Sequence, residues 1–119
     1  MLNSYYSNGD QTLKGMNTVV LINGGSASAS EILTGALHDN KAAYVIGDKS
    51  YGKGVVQQLI NFPDGSQLKV TVASWYRPNG QNINKLGITP DKNVTLSDTD
   101  AKNNNDTQLN AAIDYLTTK

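Results

Sequence analysis

The stretch NTVVLINGGSASASEILTGALHDNKAAYVI, residues 17–46, decides the fold class. Asn17 to Ile22 is a short, apolar, β-branched run, which suits a strand buried on both faces, as in a parallel sheet. Asn23-Gly24-Gly25 breaks that run. From Ser26 the period changes: Ile32, Leu33, Ala36 and Leu37 recur at helical spacing and predict a helix from about Ser28 to Asp39. Ala42 to Ile46 is a second buried-type strand. Strand, helix and strand with short links predict a right-handed parallel crossover and an α/β class.

On the C-terminal side, Val55 to Phe62 and Gln67 to Tyr76 flank Pro63-Asp64-Gly65, and Leu68, Val70 and Val72 alternate with polar residues. These two runs predict a β-hairpin. Arg77 to Asn84 reads as a loop rich in Gly, Pro and Asn, Gly87 to Asp91 as a turn, and residues 94–105 as an exposed polar linker. Leu109, Ala112, Ile113 and Leu116 share one face of a C-terminal amphipathic helix over Asp106 to Leu116. On the N-terminal side, residues 1–16 read as irregular structure with turn signals at Asn8-Gly9-Asp10. Their polar start is expected to be non-native, and the chain reads as a piece of something longer.

The 119 residues suffice for one domain. Ten Lys plus Arg against ten Asp plus Glu give zero net charge, so nothing electrostatic calls for nucleic acid or an anionic membrane as partner. No apolar run is long enough to span a membrane. The absence of cysteine excludes disulfides, thiolate zinc sites and cysteine nucleophiles, and a single histidine excludes a multi-histidine metal site. No cofactor is expected.

Ser28 lies at the junction of a buried strand and a helix, among residues small enough to let another chain approach. A helix N-terminus presents unpaired N–H groups and partial positive charge, which suit a developing oxyanion. The amide of Ala29, next to the hydroxyl, is the natural donor. Ser28 and Glu31 also fit a capping box, in which Ser28 is only an N-cap. A nucleophilic serine needs a base. His38 is ten positions along the same predicted helix, about 15 Å at 1.5 Å per residue, far beyond hydrogen-bond reach. A desolvated lysine is the alternative. Lys53, between Gly52 and Gly54, fits that role, and an extended run from 53 would put Gln57 on its face as a neutral partner. The competing reading is an exposed turn lysine. Lys41, Lys49 and Lys69 read as solvated.

With these residues in place, the chain resembles the C-terminal processing peptidases, also called tail-specific proteases. The resemblance rests on the G-S-A-S-A-S-E turn at 25–31, the V-I-G-D step at 45–48, the Y-G-K-G-V-V-Q motif at 51–57, the hairpin after it and the G-I-T-P-D element at 87–91. It implies Ser28 as nucleophile, Lys53 as base, Gln57 as the supporting residue and Ala29 N–H as one oxyanion donor. It also implies a ClpP/crotonase-like fold of repeated β-β-α units. This chain would be the C-terminal half of the catalytic domain, without the family's PDZ domain or the upstream D-L-R-x-N-x-G-G strand that supplies the second oxyanion amide. The implied activity is serine endopeptidase cleavage of polypeptides near their C-termini, in a parent that is extracytoplasmic and membrane-anchored. The isolated piece is expected to be inactive or weakly active and to self-associate. Two other readings stay open: a crotonase-fold acyl-CoA enzyme, and a non-catalytic interaction module.

Overall fold

A computed structural model describes residues 3–118. β1 (Val19–Ile22), α1 (Ala29–Asp39) and β2 (Tyr44–Gly47) form the expected parallel crossover, with Val19 opposite Tyr44 and Ile22 opposite Gly47. β2 also pairs in parallel with β5 (Lys92–Asn93), giving a three-stranded sheet in the order β1-β2-β5. Among the described residues no strand pairs with the outer edge of β1.

β2 is buried on both faces, as a β-branched run in a parallel sheet suggests, whereas β1 is only partly buried and leaves Leu21 39% exposed. On one face, Ile22 and Val45 pack with Ile83 and Ile88, with Val20, Ile32 and Trp75 around them. On the other, Ile46 packs with Ala111 and Ala112 of α3 (Thr107–Thr117). Tyr44 and Tyr115 stack on that face with ring centroids 4.2 Å apart. Each fully buried Ile contributes roughly 1.5–3 kcal/mol relative to exposure. At the C-terminal end of β2, Asp48 ties the layers together. It accepts from Thr95 Oγ1 at 2.6 Å and from Gln108 Nε2 at 3.1 Å.

The hairpin forms as expected, from β3 (Val55–Asn61) and β4 (Gln67–Ser74), with a register shift between Val56 and Gln57. It projects from the sheet and is exposed on both faces, leaving Leu59, Phe62, Leu68 and Val72 in solvent. The radius of gyration is 17.4 Å, against about 13–14 Å for a compact domain of this length.

Three expectations need correction. The 94–105 stretch is not simply a linker: it follows β5 directly and contains α2 (Asp98–Lys102), capped by Ser97. The expected apolar face of α3 is split. Ala112 is buried beside Ala111 and Gln108, whereas Leu109, Ile113 and Leu116 are 46%, 48% and 37% exposed. Tight packing of α3 on the sheet requires its small residues inward. The turn at 87–91 is also more than a turn, because Asp91 N–H donates to the Val45 carbonyl and Asp91 Oδ2 accepts from Val45 N–H, both at 2.8 Å.

Candidate active site

The β1–α1 turn closes on itself: Ser26 N–H donates to the Asn23 carbonyl at 2.9 Å, and Gly25 N–H to Asn23 Oδ1 at 2.9 Å. Small residues then lead to Ser28, whose backbone sits at φ 56°, ψ −115°. A non-glycine residue held there carries roughly 1–3 kcal/mol of strain, a feature concentrated at functional sites. The N-caps of the other two described helices are ordinary. Ser97 and Asp106 are at φ −74° and −79°, and their side chains accept from Asp100 N–H and Leu109 N–H.

Ser28 and Glu31 are arranged as a capping box, and Glu31 Oε2 accepts from Ser28 N–H at 3.0 Å. The hydroxyl half is the weaker side. Glu31 N–H donates to the Ser28 carbonyl at 2.9 Å, and Ser28 Oγ completes no cap hydrogen bond. The backbone of Ser28 is gripped, and its hydroxyl faces the Glu31 N–H as in a capping box without completing a cap hydrogen bond. The Ala29 N–H, first in the helix, has no partner among the described residues, as the geometry of a helix N-terminus dictates.

Glu31 is only 1% exposed. Its Oε2 also accepts from Lys53 N–H at 2.9 Å, while Oε1 accepts from Gly52 N–H at 2.7 Å and Ser50 Oγ at 2.5 Å. Four donors fill the acceptor sites of the carboxylate, which is what makes its burial tolerable. One oxygen thus holds the amides of Ser28 and Lys53 within about 6 Å of each other. The sequence marks Glu31 only as a capping residue; the other three donors come from 19 to 22 positions away.

Gly52, Lys53 and Gly54 lie against residues 83–87. Lys85 N–H donates to the Gly52 carbonyl and Trp75 N–H to the Gly54 carbonyl, each at 2.8 Å. A Cβ on Gly54 would fall 2.3 Å from Asn84 N. Lys53 itself is exposed, so the described neighbours do not supply the desolvation a lysine base needs. Gln57 is exposed too. Lys53 lies outside β3, and the register shift between Val56 and Gln57 interrupts the alternation that would put 53 and 57 on one face. Lys41, Lys49 and Lys69 are exposed, as expected.

His38 is held far from Ser28 by partners at the C-terminal end of α1. Its Nδ1 lies 2.8 Å from Arg77 Nη2 and its Nε2 3.0 Å from Asp91 Oδ1. Nδ1 also lies 3.3 Å from Asp39 Oδ1, so His38 is enclosed by Arg77, Asp39 and Asp91. Arg77 also bonds Asp39 in a pair whose side chains are 8% and 6% exposed. This cluster fastens the 77–82 loop to α1.

The model for peptidase family S41 matches residues 2–94. A carboxyl-terminal-processing protease of Synechocystis sp. is 47% identical over 102 residues, covering 83% of this chain and 24% of that protein. Carboxyl-terminal-processing peptidase 2, chloroplastic, of Arabidopsis thaliana is 56% identical over 72 residues, covering 60% of this chain and 14% of that protein. The solved photosystem II D1 C-terminal processing protease superposes with a TM-score of 0.64 at 44% identity, over 68% of this chain and 21% of that one. The chain therefore spans only 14% to 24% of the length of these relatives. Its mixed α/β architecture with small sheets is that of S41 protease structures. Motif, architecture and relatives agree: the chain belongs to peptidase family S41.

Proposed function

We propose that the protein carrying this chain is a serine endopeptidase in which Ser28 is the nucleophile and Lys53 the general base. The observation that carries this reading is the convergence of the Ser28 and Lys53 amides on Glu31 Oε2. A helix cap alone has no use for a lysine loop at that point, and an ordinary cap does not hold its serine at φ 56°.

In the proposed reaction, Lys53 Nζ takes the proton from Ser28 Oγ as the oxygen attacks the scissile carbonyl carbon. The resulting oxyanion is received by Ala29 N–H and a second donor from the missing part of the domain. Collapse breaks the C–N bond, and the ammonium of Lys53 returns its proton to the leaving amine. Water, deprotonated by Lys53, then adds to the acyl carbon, and as the bond to Ser28 Oγ breaks the ammonium of Lys53 returns the proton to that oxygen. Desolvation of Lys53 comes from the rest of the domain or from substrate, and Gln57 supports the amine when that surface is covered.

The chain is, on this reading, the C-terminal half of a ClpP/crotonase-like catalytic domain, whose missing upstream strand would pair with the outer edge of β1. The substrates are polypeptides cut near their C-termini, and the parent works outside the cytoplasm with a membrane anchor. No described helix is long and apolar enough to cross a membrane, so the anchor would lie elsewhere. The test is cleavage of an unstructured peptide by the whole protein, followed by mass spectrometry. Loss of turnover in Ser28→Ala and in Lys53→Ala, with a smaller loss in Gln57→Ala, is expected. Full activity in Ser28→Ala refutes the reading.

A further inference from the structure

Ser50 has a buried hydroxyl that takes no part in the acyl transfer. It is 7% exposed. Its Oγ donates to Glu31 Oε1 at 2.5 Å and accepts from Ile88 N–H at 2.6 Å, while Ser50 N–H donates to the Ile88 carbonyl at 3.0 Å. Gly87 allows this approach: a Cβ there would lie 2.5 Å from the Ser50 carbonyl oxygen. The 85–88 segment is thus zipped along the 50–52 segment, and Ser50 passes that contact on to Glu31.

We propose that Ser50 is a positioning residue for the Ser28–Lys53 pair, acting through the carboxylate of Glu31. This rests on the reading of those two residues as nucleophile and base. The terminal torsion of a glutamate is soft, with a broad range of allowed angles. Two donors on Oε1, the Ser50 hydroxyl and Gly52 N–H, fix the carboxylate plane and so fix where Oε2 can receive Ser28 and Lys53. Without the hydroxyl, Oε1 keeps one donor, and Ile88 N–H, in the core, loses its acceptor. The orientation of Oε2 then follows thermal motion, and with it the separation of the two catalytic backbones.

The test is amide hydrogen exchange by NMR on the chain, in the parent and in Ser50→Ala and Ser50→Thr. In Ser50→Ala the Ser28 and Lys53 amides should exchange at least about tenfold faster, the effect of losing one hydrogen bond to a charged group, while Val45 and Ile46 in β2 keep their rates. Ser50→Thr, which keeps the hydroxyl, should restore both. A purely structural role predicts faster exchange at Ile88 alone. Unchanged Ser28 and Lys53 amides in a folded Ser50→Ala chain overturn the proposal. Should that variant not fold, Ser50→Cys, a poor donor of similar size, is measured at the same amides: faster exchange supports the proposal and unchanged exchange overturns it. In the whole protein, Ser50→Ala should lower kcat at nearly constant KM. Activity that ignores Ser28→Ala overturns the reading beneath the proposal, whereas Ser28-dependent activity with unchanged amides overturns the role of Ser50 alone.

Discussion

Replacing Gly54 by alanine puts a methyl group where the backbone of residues 83–84 already lies. The added Cβ would be 2.3 Å from Asn84 N, 2.8 Å from Ile83 C and 2.9 Å from Asn84 Cα, whereas ordinary contacts begin near 3.4 Å. The two segments must separate by about 1 Å. Neither moves easily. Gly54 is bonded through its carbonyl to Trp75, Gly52 through its carbonyl to Lys85, and Ile83 is 1% exposed in the core with Ile22, Val45 and Ile88. Overpacking of this kind costs about 1–3 kcal/mol. The loss of unfolded-chain freedom on going from glycine to alanine offsets about 0.4–1 kcal/mol of it. Net destabilisation of about 1–2 kcal/mol is expected, read as a lower midpoint in urea denaturation. The control is Gly24→Ala, where no atom lies within 4 Å and φ is not positive; it should be neutral or slightly stabilised. In the whole protein, displacing Lys53 by ~1 Å should slow acylation of Ser28 about a hundredfold. Equal urea midpoints for Gly54→Ala and Gly24→Ala would show that the 83–87 segment does not brace the lysine loop.

Glu31→Gln keeps the shape but sets an NH2 group against N–H donors; a loss of about 2–4 kcal/mol in stability is expected, checked by the same denaturation series. Asp64, in the hairpin turn, is held below the usual carboxylate range by the Ser66 hydroxyl and then the Ser66 amide. Its folded value is depressed, so its contribution to the turn is present above the unfolded value and is lost as pH falls through the folded one. Ser66→Ala should move the Asp64 titration upward by NMR. Ile113→Lys, at an exposed position of α3, should leave stability within about 0.5 kcal/mol and should weaken the self-association expected of the isolated chain if the exposed residues of α3 take part in it. A parent chain that already elutes as a clean monomer in size-exclusion chromatography would count against that.

The crossover and hairpin were legible because local pattern and tertiary environment agree there: the β-branched runs pack into the two core clusters of the parallel sheet, and a Pro-Asp-Gly turn joins alternating strands. β5 was not legible, because two residues pairing through backbone alone with Ile46 and Gly47 leave no side-chain pattern. The one signal for α2 is a short-range cap, the Ser97 hydroxyl three residues before the Asp100 amide it receives. In α3 the periodicity placed four apolar residues together; Ala112 does face the sheet, but beside Ala111 and Gln108 rather than beside Leu109, Ile113 and Leu116. At the candidate site, the glycine and small-residue settings of Ser28 and Lys53 mark both as candidates, and only the family resemblance gives them the roles of nucleophile and base. The partners that position them were not legible: Glu31 gathers donors from the 50–53 segment, and Ser50 answers to Ile88, 38 residues on.

The most direct test of the Ser28–Lys53 assignment is site-mapped labelling of the whole protein with a fluorophosphonate. A single adduct on Ser28 is expected, absent in Ser28→Ala, strongly reduced in Lys53→Ala, and weak or absent in the isolated 119-residue chain. An adduct on another residue, or undiminished labelling in Lys53→Ala, would contradict the assignment.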